Sequence, residues 1–262
     1  MKSELAIKNW LTLTAESIKD YPDGINQIYE GKFDGMVIKE VLPKSEIQKV
    51  KRNLESRDVR ESVHFGTMLG AILTDRQTDR MKYFNTADIV RPQLDQIFET
   101  SFETLVESVL SKISGGRKVE VPIENADSYY IPGTVRFVEP NTGGIRVHKG
   151  NDFIDITGWQ YLNQVSKTID SLSYFILIEK AEQGGELVLY EPSTDQLLTP
   201  TLDLDLEECK ATYIDPDVGD MIVFRGGNIV HKVADVKGLT TRITVGGFMA
   251  ISKDDQKVFY WS

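Results

Sequence analysis

Two of the three histidines in this sequence stand at the ends of strand-like stretches, far apart along the chain. His148 closes the stretch Ile145-Arg146-Val147-His148, and His231 follows a break at Gly226-Gly227. Arg242 comes eleven residues after His231, at the start of another apolar run. Imidazole nitrogens bind divalent metals, and a guanidinium binds a carboxylate through two parallel hydrogen bonds. These three residues therefore predict a metal site beside a site for a carboxylate.

The metal ligands in this pattern are incomplete, because a non-haem iron(II) site usually takes two histidines and one carboxylate on one face. In the common spacing His-x-Asp, the carboxylate would stand at position 150, which is Gly150. One interpretation is that a small anion such as chloride fills this position. The other is that Asp152 or Asp155 completes the ligand set. On an extended strand Asp152 would lie about 13 Å from His148, so direct ligation requires a turn at Gly150-Asn151.

Arg242 is predicted to face the interior of a barrel, where a guanidinium is costly unless it meets an anion. Thr244 lies two residues further on and points to the same side of the strand. Its hydroxyl can share a carboxylate with Arg242. The alternative is that Arg242 lies at the surface or pairs with an aspartate.

The elements that position these residues fall into a helical first third and a β-rich remainder. Apolar spacing predicts helices over 1–30, 45–56 and 86–114. Strands are predicted around residues 33–38, 119–121, 133–138, 145–148, 173–178, 186–190, 212–214, 221–224 and 242–245. Gln183-Gly184-Gly185 indicates a hairpin between two of them. The pattern predicts an α+β, mainly β fold: a jelly-roll, cupin-like barrel buttressed by helices.

The bulk composition is that of an ordinary globular protein. The chain has 262 residues, of which 40% are hydrophobic and 27% charged, with a net charge of −10. We expect one domain over 1–262, with 1–118 as mainly helical support and 119–252 as the jelly-roll core. The acidic surface disfavours nucleic-acid and membrane partners. The single cysteine, Cys209, excludes an internal disulfide and a cysteine-based metal cluster. We expect a cytoplasmic monomer or homodimer.

The motifs together resemble the iron(II)/2-oxoglutarate-dependent oxygenase superfamily. The resemblance rests on His148, His231 and Arg242-Ile243-Thr244, and on two strand signatures, Gly184-Gly185-Glu186-Leu187 and Gly219-Asp220-Met221-Ile222-Val223-Phe224. It covers about residues 33–252. Within the superfamily, His148-x-Gly150 is similar to the radical halogenases that act on free amino acids, including the lysine type, in which glycine replaces the carboxylate ligand.

The resemblance implies a double-stranded β-helix fold and a site that uses Fe(II), 2-oxoglutarate, O2 and chloride. His148 and His231 would bind the iron, and Gly150 would leave room for chloride. Arg242 and Thr244 would hold the far carboxylate of 2-oxoglutarate, and Tyr174 would donate a hydrogen bond to it. The reaction implied is oxidative decarboxylation of 2-oxoglutarate, hydrogen abstraction from an unactivated carbon and chlorination of that carbon.

The substrate expected from the resemblance is a small polar molecule, in the first place a free amino acid. Residues from several loops are candidates to contact it: Asn151, Asp152, Arg80, Tyr129 and Trp261, with His64 expected to reach over the barrel mouth as Arg80 does. Trp159 lies in the long insertion 152–171 after the metal motif, which is a natural lid, and Trp261 is expected to cover the pocket. Two alternatives stay open. The first is a hydroxylase on the same scaffold, and the second is a non-catalytic, cupin-like binding module without a metal.

Overall fold

The computed structural model describes residues 10–56, 60–73, 80–126, 128–153, 155, 159–192 and 200–262. Five α-helices lie in these parts of the chain: α1 Gly24–Tyr29, α2 Lys44–Glu55, α3 Arg80–Phe98, α4 Phe102–Leu110 and α5 Gln160–Val165. Short 3-10 helices occur at Ser17–Asp20, Ser111–Ile113, Gly150–Phe153, Thr168–Asp170 and Thr201–Asp203. Within the described ranges, no helix combines the length and the apolar character needed to cross a bilayer.

The prediction of one helix over 86–114 is wrong in one respect: the structure has two helices here, α3 and α4. Glu99 takes a left-handed conformation with φ of 54° after α3 ends. The hydroxyl of Ser101 then accepts a hydrogen bond from the Thr104 amide at 3.2 Å, which caps α4. Apolar spacing continues through both helices, so the periodicity alone does not reveal the break.

Thirteen strands lie in the described residues: β1 Trp10–Leu13, β2 Gly35–Ile38, β3 Glu61–Val63, β4 Gly66–Leu69, β5 Lys118–Glu120, β6 Thr134–Val138, β7 Leu172–Glu179, β8 Leu187–Glu191, β9 Lys210–Ile214, β10 Met221–Phe224, β11 Val230–Val233, β12 Arg242–Ile251 and β13 Lys257–Trp261. The large sheet has the order β1-β2-β10-β7-β12-β6-β4-β3, and β13 pairs with β12 and β5. The small sheet has the order β11-β8-β9. The predicted mainly β, jelly-roll architecture with helical support is confirmed.

The main hydrophobic core lies between the large sheet and the helices. In β7 the residues Tyr174, Ile176 and Ile178 pack into this core, together with Leu94 of α3 and Phe102 of α4. Burial of such side chains stabilises the fold by about 25 cal/mol per Å² of apolar surface removed from water.

The opposite face of the large sheet turns toward the small sheet. Phe175 of β7 packs there against a second buried cluster, which contains Leu187, Leu189, Ile222, Phe224 and Ile229. Because side chains alternate along a strand, β7 and β10 are apolar on both faces. The space between the two sheets is where the site lies.

Two of the predicted strand features are wrong. The stretch 145–148 forms no strand, and its one bridge pairs His148 with His231. A regular ladder from that bridge would bring residue 146 opposite Val233, but the Val233 amide donates to the carbonyl of Ile145 at 3.1 Å. This slip of one residue interrupts the ladder. Likewise, Gln183-Gly184-Gly185 is no hairpin turn, because it connects β7 of the large sheet to β8 of the small sheet.

The first third of the chain also adds strands that the sequence did not predict. Residues 1–30 were predicted to be helical, but residues 10–13 form β1, which pairs in parallel with β2. The first nine residues lie outside the described ranges. β3 and β4 extend the other end of the same sheet next to β6. The large sheet is therefore assembled from both parts of the chain.

Candidate metal centre and anion pocket

His148 and His231 lie directly opposite each other at the edge of the small sheet. The His148 amide donates to the His231 carbonyl at 2.9 Å, and the His231 amide donates back at 3.0 Å. The two ring centroids are 4.2 Å apart with an angle of 54° between the planes. The structure thus brings together the two histidines that the sequence predicted as metal ligands.

Each of the two rings is oriented by a hydrogen bond to a backbone carbonyl two residues earlier in the chain. Nδ1 of His148 lies 2.8 Å from the carbonyl oxygen of Arg146, and Nδ1 of His231 lies 2.8 Å from that of Ile229. A carbonyl only accepts, so each Nδ1 carries the proton and the lone pair is on Nε2. Nε2 is the atom through which such a histidine binds a metal, and a backbone carbonyl on Nδ1 is a common support for it.

Burial keeps both rings neutral. It lowers the pKa of His148 below its ordinary value, and the positive charge of Arg136 adds to this effect. It lowers the pKa of His231 much further, with a contribution from the neighbouring His148. A metal ligand must be neutral imidazole. The pair therefore fits a divalent metal ion on chemical grounds.

Gly150 stands where the usual third ligand would be, and the structure packs it closely against another backbone segment. Its amide donates to the Gly226 carbonyl at 2.7 Å. A β-carbon built at Gly150 would lie 3.1 Å from Cα of Gly227 and 3.3 Å from the carbonyl carbon of Gly226. Residue 150 thus has little room for a side chain on that side.

No carboxylate joins the two histidines within the described ranges, where no three metal-binding side chains are grouped. Asp152 follows Gly150 in a 3-10 helix, which supplies the turn that the sequence required. Its carboxylate, however, accepts from the Lys149 amide at 2.9 Å and from the Thr201 hydroxyl at 3.4 Å. Asp155 is exposed. Of the two interpretations of the third ligand, the structure favours the site with two protein ligands.

Arg242 and Thr244 are buried, 3% exposed each, and both line the cavity between the two sheets. The guanidinium of Arg242 lies over the Phe175 ring, with its carbon 5.5 Å from the ring centroid. Burial lowers the pKa of Arg242 to about 10, and repulsion from Arg136 contributes. The guanidinium still carries its charge at neutral pH. Its interior position suits the predicted carboxylate site.

Arg136 is a residue of this cavity that the sequence prediction missed. It lies on β6 directly opposite Thr244 of β12, and residues paired in this way share a face. Its neighbours Val135 and Phe137 pack into the main core on the other face. Burial lowers the pKa of Arg136 to about 10. The available signal was a charged residue within an otherwise apolar strand, which also marks Arg242.

The cavity that contains these groups has a volume of about 980 Å³. The polar residues that line it include His148, His231, Arg136, Arg242 and Thr244, and its walls are largely apolar. The walls include Phe65, Ile72, Ile145, Val147, Phe175, Leu187, Phe224 and Phe248. Exposed residues at its rim include His64, Arg146, Asp152, Leu202 and Asp203. Such a volume is at the upper end of the range for small-molecule sites.

Tyr174 was predicted to donate a hydrogen bond to 2-oxoglutarate; it borders the cavity, but its hydroxyl has another partner. Its ring alternates with Phe175 along β7 and lies on the core side, where its hydroxyl donates to the carbonyl of Pro132. Burial raises the pKa of this hydroxyl. The sequence did not show this orientation, because a strand that is apolar on both faces does not show which side chains face the cavity.

Three predicted substrate residues lie elsewhere. Arg80 forms an ion pair with Glu124, and Tyr129 stacks under Arg91, whose guanidinium carbon is 4.8 Å from the ring centroid. The side-chain Nδ2 of Asn151 donates to Asn228 Oδ1 at 3.3 Å. All three are outside the cavity lining formed by the described residues. Their positions depend on how loops pack, which spacing along the chain does not determine.

Trp261 and Trp159 are fully buried behind the cavity instead of covering its mouth. Their ring centroids are 5.4 Å apart, and Trp159 lies 5.1 Å from Phe248, which lines the cavity. Nε1 of Trp159 donates to the Leu73 carbonyl at 2.5 Å. Part of the segment 152–171 that was expected to form a lid, residues 154 and 156–158, lies outside the described ranges. Of the predicted substrate residues, Asp152 and His64 line the cavity.

A model of one protein family matches residues 7–262, nearly the whole chain. The description of that family is "Carrier-protein-independent halogenase WelO5". No curated protein matches the sequence.

Several solved structures share the fold at low sequence identity. An N-substituted L-amino acid dioxygenase from Burkholderia ambifaria AMMD is 16% identical with a TM-score of 0.60, and the match covers 93% of this chain and 91% of that one. The same enzyme in complex with alpha-KG has a TM-score of 0.58 at 17% identity, with the same coverage. A 2OG-Fe(II) oxygenase family oxidoreductase from Burkholderia pseudomallei is 14% identical with a TM-score of 0.51, covering 92% and 94% of the two chains.

Proposed function

The chain belongs to the family of the carrier-protein-independent halogenase WelO5, and from this premise we propose that it chlorinates an unactivated carbon of a free small molecule. It is a non-haem iron, 2-oxoglutarate-dependent oxidoreductase, as the superfamily resemblance of its motifs predicted. The family match removes the alternative of a non-catalytic binding module. The choice between chlorination and hydroxylation depends on the ligand at the third position of the metal.

The observation that carries the proposal is the combination of two oriented imidazoles with Gly150. His148 and His231 each present Nε2 as the metal-binding atom, because Nδ1 of each ring donates to a backbone carbonyl. Residue 150 has no side chain to complete the ligand set, and Asp152 is occupied by the Lys149 amide and Thr201. A chloride ion would supply the single negative charge that a carboxylate ligand otherwise brings.

The co-substrate end of the cavity fits a dicarboxylate. Arg242 would hold the far carboxylate of 2-oxoglutarate with its planar fork, and the Thr244 hydroxyl would donate a further hydrogen bond. When bound, iron(II), 2-oxoglutarate and O2 supply the oxidising power that removes a hydrogen atom from an unactivated carbon, with release of succinate and CO2. The residues of this chain bind and orient the reactants, and the apolar walls exclude water from them.

The substrate class that we propose to test first is a free amino acid. The cavity of about 980 Å³ has room for 2-oxoglutarate and a second small molecule. Asp152 and Asp203 at its rim are exposed carboxylates that suit an amino group. The similarly folded enzyme from Burkholderia ambifaria is named as an N-substituted L-amino acid dioxygenase.

The test is an anaerobic titration with iron(II) and 2-oxoglutarate, followed through the metal-to-ligand charge-transfer band with and without chloride. A band that shifts when chloride is added supports chlorination. A band that is indifferent to chloride supports the hydroxylase instead.

A pair of variants tests the metal ligands in the same assay. His231→Ala is expected to lose stoichiometric iron binding, because one of two imidazole ligands is removed. His64→Ala is the matched control, since His64 is the third histidine and lines the same cavity from an exposed position. Unchanged iron content in His231→Ala would refute the assignment of His231.

A further inference from the structure

Asn228 connects the two segments that carry the histidines. It lies three residues before His231, and its side-chain partner Asn151 lies three residues after His148. The Nδ2 of Asn151 donates to the Oδ1 of Asn228 at 3.3 Å. In an antiparallel pairing that starts from the bridge between the two histidines, these two positions would lie opposite each other. The side-chain bond therefore maintains the pairing that the histidine bridge begins.

The backbone next to this bond does not continue the pairing. The amides of Gly150 and Asn151 donate to the carbonyls of Gly226 and Gly227, at 2.7 and 3.2 Å. Two consecutive amides that bond to two consecutive carbonyls do not follow the alternation of an antiparallel ladder. Backbone pairing by itself therefore does not set the register between the two segments, and the contact of Asn151 with Asn228 is an additional constraint.

The other side of the Asn228 amide is held by the segment that enters the large sheet. Its Nδ2 donates to Oδ1 of Asp170, which ends the 3-10 helix Thr168–Asp170, two residues before β7 begins. A carboxylate only accepts, so Asp170 determines which side of the amide faces it and leaves Oδ1 for Asn151. The hydrogen bonds thus run from the start of β7 through Asn228 to the segment that follows His148.

The two imidazoles depend on these segments for their relative position. Each ring is oriented by a carbonyl of its own segment, that of Arg146 for His148 and that of Ile229 for His231. These bonds set the rotation of each ring, whereas the distance between the two Nε2 atoms depends on how the segments lie relative to each other. A metal ion held by both rings is sensitive to this distance, because metal–nitrogen bonds have a narrow range of lengths.

Building on the proposed function, we propose that Asn228 is a positioning residue for the two metal ligands. Through its two side-chain contacts, it fixes the separation of His148 and His231 so that both bind one divalent metal ion. Because position 150 is glycine, an error in this separation is not compensated by a carboxylate at the usual third position. Asn151, which the sequence suggested as a substrate contact, has this supporting role in the proposal.

The experiment compares Asn228→Ala, which breaks both contacts, with the double variant Asn228→Asp/Asp170→Asn. In the double variant, the carboxylate introduced at position 228 accepts from Asn151 and from the amide introduced at position 170, so both hydrogen bonds return. Asn228→Asp alone places two carboxylates against each other. Asn53→Ala is the matched control, because Asn53 is also half-buried and its side-chain amide joins α2 to α3.

The first measurement is the dissociation constant of iron(II), titrated anaerobically with 2-oxoglutarate present and followed through the charge-transfer band. It is made well below the melting temperature of every variant, where nearly all of the protein is folded and a loss of stability leaves the dissociation constant unchanged. Loss of a group that supports a metal ligand costs about 10- to 100-fold in metal affinity. We expect this loss in Asn228→Ala and Asn228→Asp, its recovery in the double variant, and the wild-type value in Asn53→Ala.

The second measurement uses the metal-free protein and needs no iron. It is amide hydrogen exchange at Gly150 and Asn151, whose amides bond to the turn at Gly226-Gly227. Exchange at both should be faster in Asn228→Ala and unchanged in Asn53→Ala, because the two segments separate more often without the side-chain link. Wild-type exchange rates at these amides in Asn228→Ala would contradict the proposed link.

Two results would overturn the inference and leave the proposed function intact. Equal iron(II) dissociation constants in the wild type and Asn228→Ala would show that the asparagine is only structural, whatever its effect on the melting temperature. A double variant that binds iron as weakly as Asn228→Asp would show that these hydrogen bonds do not position the histidines. If Asn228→Ala does not fold, Asn151→Ala breaks the same link from the other side and replaces it. A wild type without a charge-transfer band would instead refute the proposed function.

Discussion

The close contact at Gly150 predicts that this residue is required for stability as well as for the open metal position. An alanine there would place its β-carbon 3.1 Å from Cα of Gly227 and 3.3 Å from the carbonyl group of Gly226. Both distances are shorter than ordinary van der Waals contact, so the backbone at Gly226-Gly227 would have to move away.

The backbone at Gly226-Gly227 is held in place by contacts on its other side. The Gly227 amide donates to the Ser171 carbonyl at 2.6 Å. The α-carbon of Gly226 faces Ser173, whose Oγ would lie only 2.1 Å from a β-carbon at position 226. The turn therefore has little space into which it can retreat, and the added methyl group is not accommodated freely.

The magnitude follows from two opposing effects of Gly150→Ala. Overpacking in a tight site costs about 1–3 kcal/mol. Replacing a glycine reduces the entropy of the unfolded chain and returns about 0.4–1 kcal/mol. The midpoints of these two ranges give a net loss of about 1.3 kcal/mol. At about 2–4 °C per kcal/mol for a chain of this size, the melting temperature should fall by roughly 3–5 °C.

Thermal unfolding of the metal-free protein measures this effect without any contribution from ligands. Gly150→Asp is then compared with Gly150→Ala, because both add the same β-carbon and only the aspartate adds a carboxylate. Any difference between them in chloride binding reports the carboxylate. A melting temperature of Gly150→Ala equal to or above that of the wild type would refute the argument from close contact.

Three further predictions concern single side chains. Arg242→Gln should weaken 2-oxoglutarate binding in the charge-transfer titration by about ten- to a hundredfold, with Arg242→Lys in between, because lysine keeps the charge without the planar fork; equal affinity in all three proteins would contradict the carboxylate site. Asp220→Ala should lower the free energy of unfolding in urea by about 2–4 kcal/mol, because the buried Asp220 carboxylate accepts from Lys39 at 2.7 Å and from the amides of Glu40 and Asp217 at 3.0 and 2.9 Å; a loss below about 0.5 kcal/mol would contradict this. Hydrogen bonding from Arg117 lowers the pKa of Asp255 below its ordinary 3.8. The small contribution of this carboxylate to stability is therefore complete above pH 3.8 and disappears as the pH falls through the lowered pKa. The difference in melting temperature between the wild type and Asp255→Asn should be present at pH 7 and shrink under strongly acidic conditions.

The sequence predicted the groups of the site that contrast with their surroundings. His148, His231 and Arg242 are polar residues at the ends of apolar stretches, and the structure brings all three to one cavity. The fold class followed from the change of hydrophobic period near residue 119. Both are properties that a single stretch of chain displays by itself.

The parts that the sequence missed depend on information from outside the stretch concerned. Tyr174 and Phe175 are equally apolar in context, and only the packing of the helices decides that Phe175 faces the small sheet. Arg136 was overlooked because the strand signal around it is strong, although its charge marked it in the same way as Arg242. Arg80, Tyr129 and Trp261 were placed by loop position, and their actual contacts arise from tertiary packing.

The irregular backbone around His148 also bears on how this wall of the cavity opens locally. His231 is held in β11 by a regular ladder with β8. The stretch before His148 has no such ladder: the Val233 amide donates to the Ile145 carbonyl at 3.1 Å, and the Val236 amide donates to the Gly143 carbonyl at 3.3 Å. Local opening of this wall breaks few hydrogen bonds and leaves the sheets intact. Amide hydrogen exchange should therefore be faster at Val233 than in β7. A reactant bound in the cavity against this wall should also slow exchange at Val233.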